Sequence, residues 1–205
     1  MAMRDTVYFL VFDGFADWEA ALALCEIRRP GDWRIVTVGF SRRTVTSMGG
    51  LNVLPEQTLD RIDLSRAALL ILPGGHIWQR GEGEEAVDAA ERVHAAGGTV
   101  AAVSSAVLAL ARHGLLARSR HTGNFTGFVG GQVPAYPGFE KYDPDALALS
   151  EGGFITASSL GSVELAREVI RTLDLYSGSD REHWYRLFKH AAPPPWFAGE
   201  KAVMA

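Results

Sequence analysis

The chain has 205 residues, a formal net charge of -4 and one cysteine. That length suits one domain or at most two small ones, and can bury a substantial core. Hydrophobic residues at 47% and charged residues at 21% describe an ordinary globular mix, not a disordered or fibrous one. The acidic balance gives no general support for nucleic-acid binding, and Arg28-Arg29, Arg42-Arg43 and Arg118 to Arg120 read as solvated edges. A single cysteine, Cys25, rules out an intramolecular disulfide framework. Met1 to Asp5 leads straight into a strand-like run, so no signal peptide is expected. No apolar stretch approaches the roughly 20 residues of a membrane helix. A cytoplasmic enzyme or binding protein is the expectation, with neither nucleic acid nor membrane as partner.

Thr6 to Phe12 is an apolar run rich in strand formers, ending at Asp13-Gly14, and suits a buried parallel strand. Asp17 stands where it can cap a helix over Trp18 to Arg28, with Trp18, Leu22 and Cys25 as its apolar stripe. Cys25 therefore reads as a small core residue. Pro30-Gly31 ends that helix, Arg34 to Phe40 is a second strand, and Thr44 to Thr58 is a hairpin turning at Met48-Gly49-Gly50. Ala67 to Leu72 is a further strand, stopped by Pro73-Gly74-Gly75. Glu82 to Ala96 is an amphipathic helix closed by Gly97-Gly98. Thr99 to Val103 is again a strand, and Ser105 to Arg112 a helix. Phe139 to Ala157 holds two short strands around Glu151-Gly152-Gly153. Helices follow over Val163 to Leu173 and Asp180 to His190, then Pro193 to Pro195. Alternating strands and helices predict an α/β sandwich with a mainly parallel sheet and helices on both faces. No repeat or linker divides the chain, so 1–205 reads as one domain with a helical, Pro-rich extension from about 176.

Ligands of open parallel sheets sit beyond the carboxyl ends of the strands. That points to Asp13-Gly14, Pro73-Gly74-Gly75 and Ser104-Ser105. Ser104 stands where a strand turns into a helix, an elbow that projects its side chain near unpaired N–H groups. Two readings stand side by side, a helix N-cap and a nucleophile that needs a positioned base. Gly74-Gly75 is either a tight turn or a turn whose N–H groups face the pocket as oxyanion donors. Glu19 is either a solvated carboxylate favoured by the helix dipole or an acidic partner of Ser104. The histidines are scattered. His183 and His190 share a helix face without a further ligand, so neither metal nor cofactor is expected.

The ordered set GFADWE (Gly14 to Glu19), LILPGG (Leu70 to Gly75), TVAAVSSAVLALARHGLL (Thr99 to Leu116) and HTGNF (His121 to Phe125) resembles the ThiJ/PfpI superfamily. This class I glutamine amidotransferase-like group includes the parkinsonism-associated deglycase and the archaeal intracellular protease. The likeness is greatest to small bacterial members described as amidotransferases, and covers about residues 6 to 175. It implies a flavodoxin-like three-layer fold, a homodimer, and hydrolase or amidotransferase-like chemistry on a small carbonyl or amide compound. The family nucleophile is a cysteine in the pattern A-A-I-C-G/A. Ala101-Ala102-Val103-Ser104-Ser105 matches it with Ser104 in the cysteine's place. The resemblance also implies that Glu19 hydrogen-bonds the nucleophile and that Gly75 and Ser105 supply the oxyanion donors. Gly74, His76, Asn124 and His121 are further pocket candidates, Asn124 falling where several relatives place a histidine or another polar residue. Serine removes thiolate and sulfur-oxidation chemistry. It leaves a degenerate site, a serine-based one or a cysteine replaced by design, and a non-catalytic sensor of small molecules as the rival function.

Two expectations concern geometry and charge. Glu19 is expected within hydrogen-bonding distance of Ser104 Oγ, with burial raising its pKa. The dimer interface is expected to use or adjoin Trp184 to Phe197, where Trp184, Leu187 and Phe188 crowd one helix and Trp196-Phe197 follows three prolines.

Overall fold

The computed structural model describes residues 4–124, 133 and 136–194. Its elements run β1 (Thr6–Leu10), α1 (Asp17–Arg28), β2 (Arg34–Gly39), β3 (Val45–Thr46), β4 (Asn52–Val53), β5 (Gln57–Thr58), β6 (Ala67–Leu72), α2 (His76–Gln79), α3 (Glu84–Ala95), β7 (Thr99–Val103), α4 (Ala106–Arg112), β8 (Ala148–Glu151), β9 (Phe154–Ala157), α5 (Ser162–Thr172) and α6 (Gly178–His190). Seven strands form one sheet in the order β5-β2-β1-β6-β7-β9-β8, all parallel except for the antiparallel edge strand β8. Helices surround this sheet, and the architecture is the α/β flavodoxin-like one. Val7, Leu10, Leu69 to Leu72, Val100 to Val103 and Ile155 lie almost wholly out of water, as expected of central strands covered on both faces. The chain leaves β1 toward β2 on one side and returns to β6 on the other. The carboxyl ends of β1 and β6 therefore flank a switch point, the place where open α/β sheets hold ligands.

The predicted elements stand within a few residues of their expected bounds, with four differences. Asp17 opens α1 but does not cap it, because Ala16 holds the N-cap position without a side-chain bond. The Asp17 carboxylate instead accepts from Ser47 Oγ at 2.9 Å and from the Gly49 N–H at 3.2 Å. It thereby docks the β3–β4 hairpin onto the helix start. The buried stripe of α1 is Glu19, Ala20, Ala23, Glu26 and Ile27, one position round from the expected face. Trp18 is 52% exposed and Cys25 is exposed, so Cys25 is not a core residue. Small alanines let α1 lie close against α5, and that packing selects a face which hydrophobicity alone would not. The second half of the expected hairpin, β5, leaves it and pairs with β2 at the sheet edge. Lastly, the short helix α2 was not foreseen. Its Trp78 is fully buried and its indole N–H donates to the Pro73 carbonyl at 2.8 Å, pinning the Pro73-Gly74-Gly75 turn.

α6 starts at Ser177, whose hydroxyl accepts from the Asp180 N–H at 3.3 Å. Trp184 stacks on Phe188 with ring centroids 4.8 Å apart, while Leu187 and Phe188 remain 41% and 42% exposed. Trp196 and Phe197 lie outside the described residues. Among the described residues, no helix is long and apolar enough to cross a membrane, and no His, Cys, Asp or Glu cluster is arranged to hold a metal ion.

Candidate active site

The site is assembled from the carboxyl ends of β1, β6 and β7. β7 ends at Val103, and the chain must reverse at once into α4. Ser104 makes that turn in the left-handed region, at φ 57°. A non-glycine residue there costs roughly 1–3 kcal/mol and persists only where its surroundings hold it. Here the Ser104 N–H donates to the Ala157 carbonyl at 2.8 Å, and the Ser104 carbonyl accepts from Val107 at 3.2 Å. Ser104 is not the N-cap of α4: Ser105 holds that position, without a side-chain bond to the helix. The first helical bonds of α4 come from Val107 and Leu108, so the N–H groups of Ser105 and Ala106 precede the helical ladder.

Glu19 reaches the elbow from the first turn of α1. It is 2% exposed. Its Oε2 accepts from the Gly74 N–H at 2.6 Å, a short bond, and its two carboxyl oxygens crowd the same side of Gly74 as Ser104 Cβ. Burial raises the Glu19 pKa above the ordinary carboxylate value, with the Gly74 N–H and the Ser104 hydroxyl only partly offsetting it. Any side chain at Gly74 would push the Glu19 carboxyl out of place. A methyl group there would lie 2.8 Å from both Glu19 carboxyl oxygens and 3.0 Å from Ser104 Cβ. A methyl at Gly75 would run into the Phe12 ring.

The Gly75 N–H is already engaged. It donates to Ser105 Oγ at 3.0 Å, and that hydroxyl donates back to the Gly75 carbonyl at 3.0 Å. An oxyanion bound at Gly75 must therefore displace a hydroxyl, and the Gly74 N–H is committed to Glu19. His76 opens α2 on the surface and is exposed. Asn124 does meet Ser104: its Nδ2 donates to Ser104 Oγ at 3.0 Å. Its Oδ1 accepts from the Ser159 N–H at 3.0 Å, and its carbonyl accepts from the Tyr142 phenol. His121 is fully buried with its Nδ1 on the Ser119 carbonyl at 2.8 Å. Its ring lies edge-on to Tyr136 and Tyr142, and burial holds its pKa below the usual value. None of these contacts involves Ser104.

Sequence reasoning missed Trp78, Tyr142 and Ser159, and the side-chain role of Ser105. Trp78 offered a signal, an indole N–H just after a turn whose carbonyls needed donors. Ser159 and Tyr142 act through a main-chain N–H and a carbonyl partner, which no side-chain pattern records.

A profile described as the DJ-1/PfpI family matches residues 5–172 of this chain. The Bacillus subtilis protein named "Uncharacterized protease YoaZ" is 31% identical over 198 residues, spanning 93% of this chain and 94% of that one. Among solved structures, a ThiJ/PfpI family protein from Bacillus anthracis superposes with a TM-score of 0.87 at 30% identity, covering 96% of this chain and 95% of its own. A DJ-1 superfamily protein from Agrobacterium tumefaciens superposes with a TM-score of 0.81 at 31% identity, covering 90% of this chain and 97% of its own.

Proposed function

The chain belongs to the DJ-1/PfpI family, and on that premise we propose that it is a hydrolase-type enzyme acting on a small carbonyl or amide compound, with Ser104 as nucleophile and Glu19 as its proton acceptor. The observation that carries this reading is the strained elbow itself. Ser104 holds φ 57° on a non-glycine residue beside the buried Glu19 carboxyl, which among the described residues has no cationic partner. Strain and a perturbed acid together mark a reactive centre more often than a packing accident.

Ser104 Oγ attacks the substrate carbonyl carbon, forming a C–O bond as the hydroxyl proton passes to ionised Glu19. The tetrahedral intermediate expels its amine or alcohol, which takes that proton from Glu19. Water then attacks the acyl-serine, losing a proton to Glu19 again, and releases the acid while Ser104 regains its hydrogen. A carboxyl whose pKa is raised is a stronger base once ionised, which helps a hydroxyl that is otherwise hard to deprotonate. The Ser105 N–H, ahead of the helical ladder, serves as one oxyanion donor, and Gly75 joins it if the Ser105 hydroxyl rotates away. Glutamine amidotransfer would follow the same first half, with ammonia as the group expelled.

The test is turnover of model esters, small amides, peptides and α-oxoaldehydes. Peptides belong in the panel because a relative is named a protease. The parent chain should turn over at least one class, and Ser104→Ala should lower that rate by ~10³-fold or more. Parent activity no higher than that of Ser104→Ala on every class removes the catalytic reading for them. A second reading, a non-catalytic small-molecule sensor using the same pocket, is favoured by the engagement of the Gly75 N–H with Ser105. It predicts that Ser104→Ala binds the cognate ligand as tightly as the parent does, by calorimetry, with no product formed by either.

A further inference from the structure

Asn124 sits at the junction of three hydrogen bonds, and their polarity is informative. The Ser159 main-chain N–H can only donate, so the atom 3.0 Å from it must be the Asn124 oxygen. That settles which way the amide faces, an assignment otherwise open to a flip. The NH2 group is then forced toward Ser104, and it can only donate, at 3.0 Å to Oγ. With one lone pair of Oγ occupied by that donor, the hydroxyl proton points away from Asn124. The Glu19 carboxyl is the neighbouring acceptor: a methyl group at Gly74 would lie 2.8 Å from both its oxygens and 3.0 Å from Ser104 Cβ.

The position of Asn124 is itself held. The Tyr142 phenol donates to the Asn124 carbonyl. Tyr142 is only 9% exposed, and its segment is stitched to that of Asn124 from both sides. The His121 N–H donates to the Lys141 carbonyl at 3.1 Å, and the Asp143 N–H to the His121 carbonyl at 2.9 Å. Thr122 ties the same stretch to the main sheet, its N–H donating to Thr156 Oγ1 at 2.9 Å.

We infer that Asn124 sets the direction of the Ser104 proton, aiming it at Glu19, and that Tyr142 is a positioning residue which holds Asn124 to that task through its main-chain carbonyl. The inference deepens the reading of Ser104 as nucleophile and rests on it. Ser159 does its part with a backbone group and is untouched by side-chain substitution. Tyr142 is the residue through which the device can be loosened from a distance.

A thiol at position 104 makes the arrangement measurable without any substrate. In Cys25→Ser/Ser104→Cys protein the one remaining thiol can be titrated by thiolate absorbance and by its alkylation rate against pH. An amide donor aimed at sulfur stabilises the thiolate. Asn124→Asp keeps the shape and the Ser159 acceptor but replaces the donor with an acceptor, so it should raise the thiol pKa most, with thiolate at a fixed pH below the pKa falling about tenfold or more. Asn124→Leu should move it in the same direction by less. Tyr142→Phe should move it that way by about twofold to fivefold in thiolate fraction, at unchanged circular dichroism, because only the anchor is lost. An unmoved thiol pKa in folded Asn124→Asp overturns the role of Asn124, and an unmoved one in folded Tyr142→Phe overturns that of Tyr142. The titration is separable from turnover: shifted pKa values in a chain that hydrolyses nothing support the proton-direction device and count against the catalytic reading alone.

Discussion

Glu19 and Glu164 are two carboxyls of almost equal burial, 2% and 5% exposed, on helices that pack together, α1 and α5. They are held in opposite ways. Desolvation pushes Glu164 upward too, yet its pKa lies below the ordinary value because Lys189 and Tyr185 more than offset it. Lys189 Nζ lies 2.8 Å and the Tyr185 hydroxyl 2.9 Å from Oε1. Among the described residues Glu19 meets the Gly74 N–H and no cation, and its pKa rises. Low surface exposure alone therefore does not fix the character of a carboxyl. A charge given a counter-ion fastens α6 to α5, whereas a more deeply desolvated one left with neutral donors is pushed toward its protonated form.

The largest effect expected from breaking this contrast is on Glu19. Glu19→Gln keeps an oxygen for the Gly74 N–H but cannot accept the Ser104 proton, and turnover should fall by ~10²–10⁴-fold. Stability should move the other way. A raised folded pKa means that protonated Glu19 favours the folded state, a contribution present in full below the unfolded pKa and lost as pH rises through the folded one. Gln does not ionise, so the variant should gain stability over the parent at neutral pH, with the gain vanishing in acid. Denaturant melts at several pH values check this, and a loss of stability at neutral pH would show that Glu19 is held as a structural group.

Lys189→Met is the mirror experiment. It strips Glu164 of its cation and should cost ~1–2 kcal/mol at neutral pH. Glu164 has a lowered folded pKa, so its contribution is present above the unfolded value and lost as pH falls through the folded one. The deficit should therefore shrink in acid, with the opposite sign to the Glu19→Gln difference at neutral pH, and turnover should stay within about twofold of the parent. A larger loss of turnover would couple α6 to the site and blur the distinction.

The smallest effect concerns the other face of α6. Tyr185 and Lys189 look toward Glu164, while Leu187 and Phe188 stay 41% and 42% exposed. A twofold, self-complementary pairing through this face predicts a dimer mass by light scattering at micromolar protein. Leu187→Glu should weaken that dimer by about tenfold in Kd while leaving the denaturation midpoint of the subunit nearly unchanged. A monomeric parent at those concentrations removes the interface.

The legible part of this protein was whatever depends on near neighbours in the chain. Apolar runs such as Ala67 to Leu72 and breaks such as Pro73-Gly74-Gly75 and Gly97-Gly98 mark strands and helix ends within a few residues, because conformational preference and burial periodicity act locally. The same locality placed Ser104 at an elbow and Glu19 in a first helical turn. The amphipathic face of α1 was misread because Glu19 and Glu26 look like surface residues until their partners are known. The Glu26 carboxylate is met by Arg29 and by the Tyr176 phenol, a hydroxyl 150 positions further along the chain.

By itself, then, the sequence determined the α/β alternation, the family and the elbow residue, each carried by short ordered motifs. Tertiary structure alone decided which groups meet there. The Gly74 N–H reaches Glu19 across 55 residues, Ser105 Oγ closes on Gly75 across 30, and the Asn124 amide is oriented by a main-chain N–H 35 residues away. Hydrogen bonds act over about 3 Å and depend on donor direction. They are therefore settled by the final packing of distant segments, which no local pattern of residue types encodes.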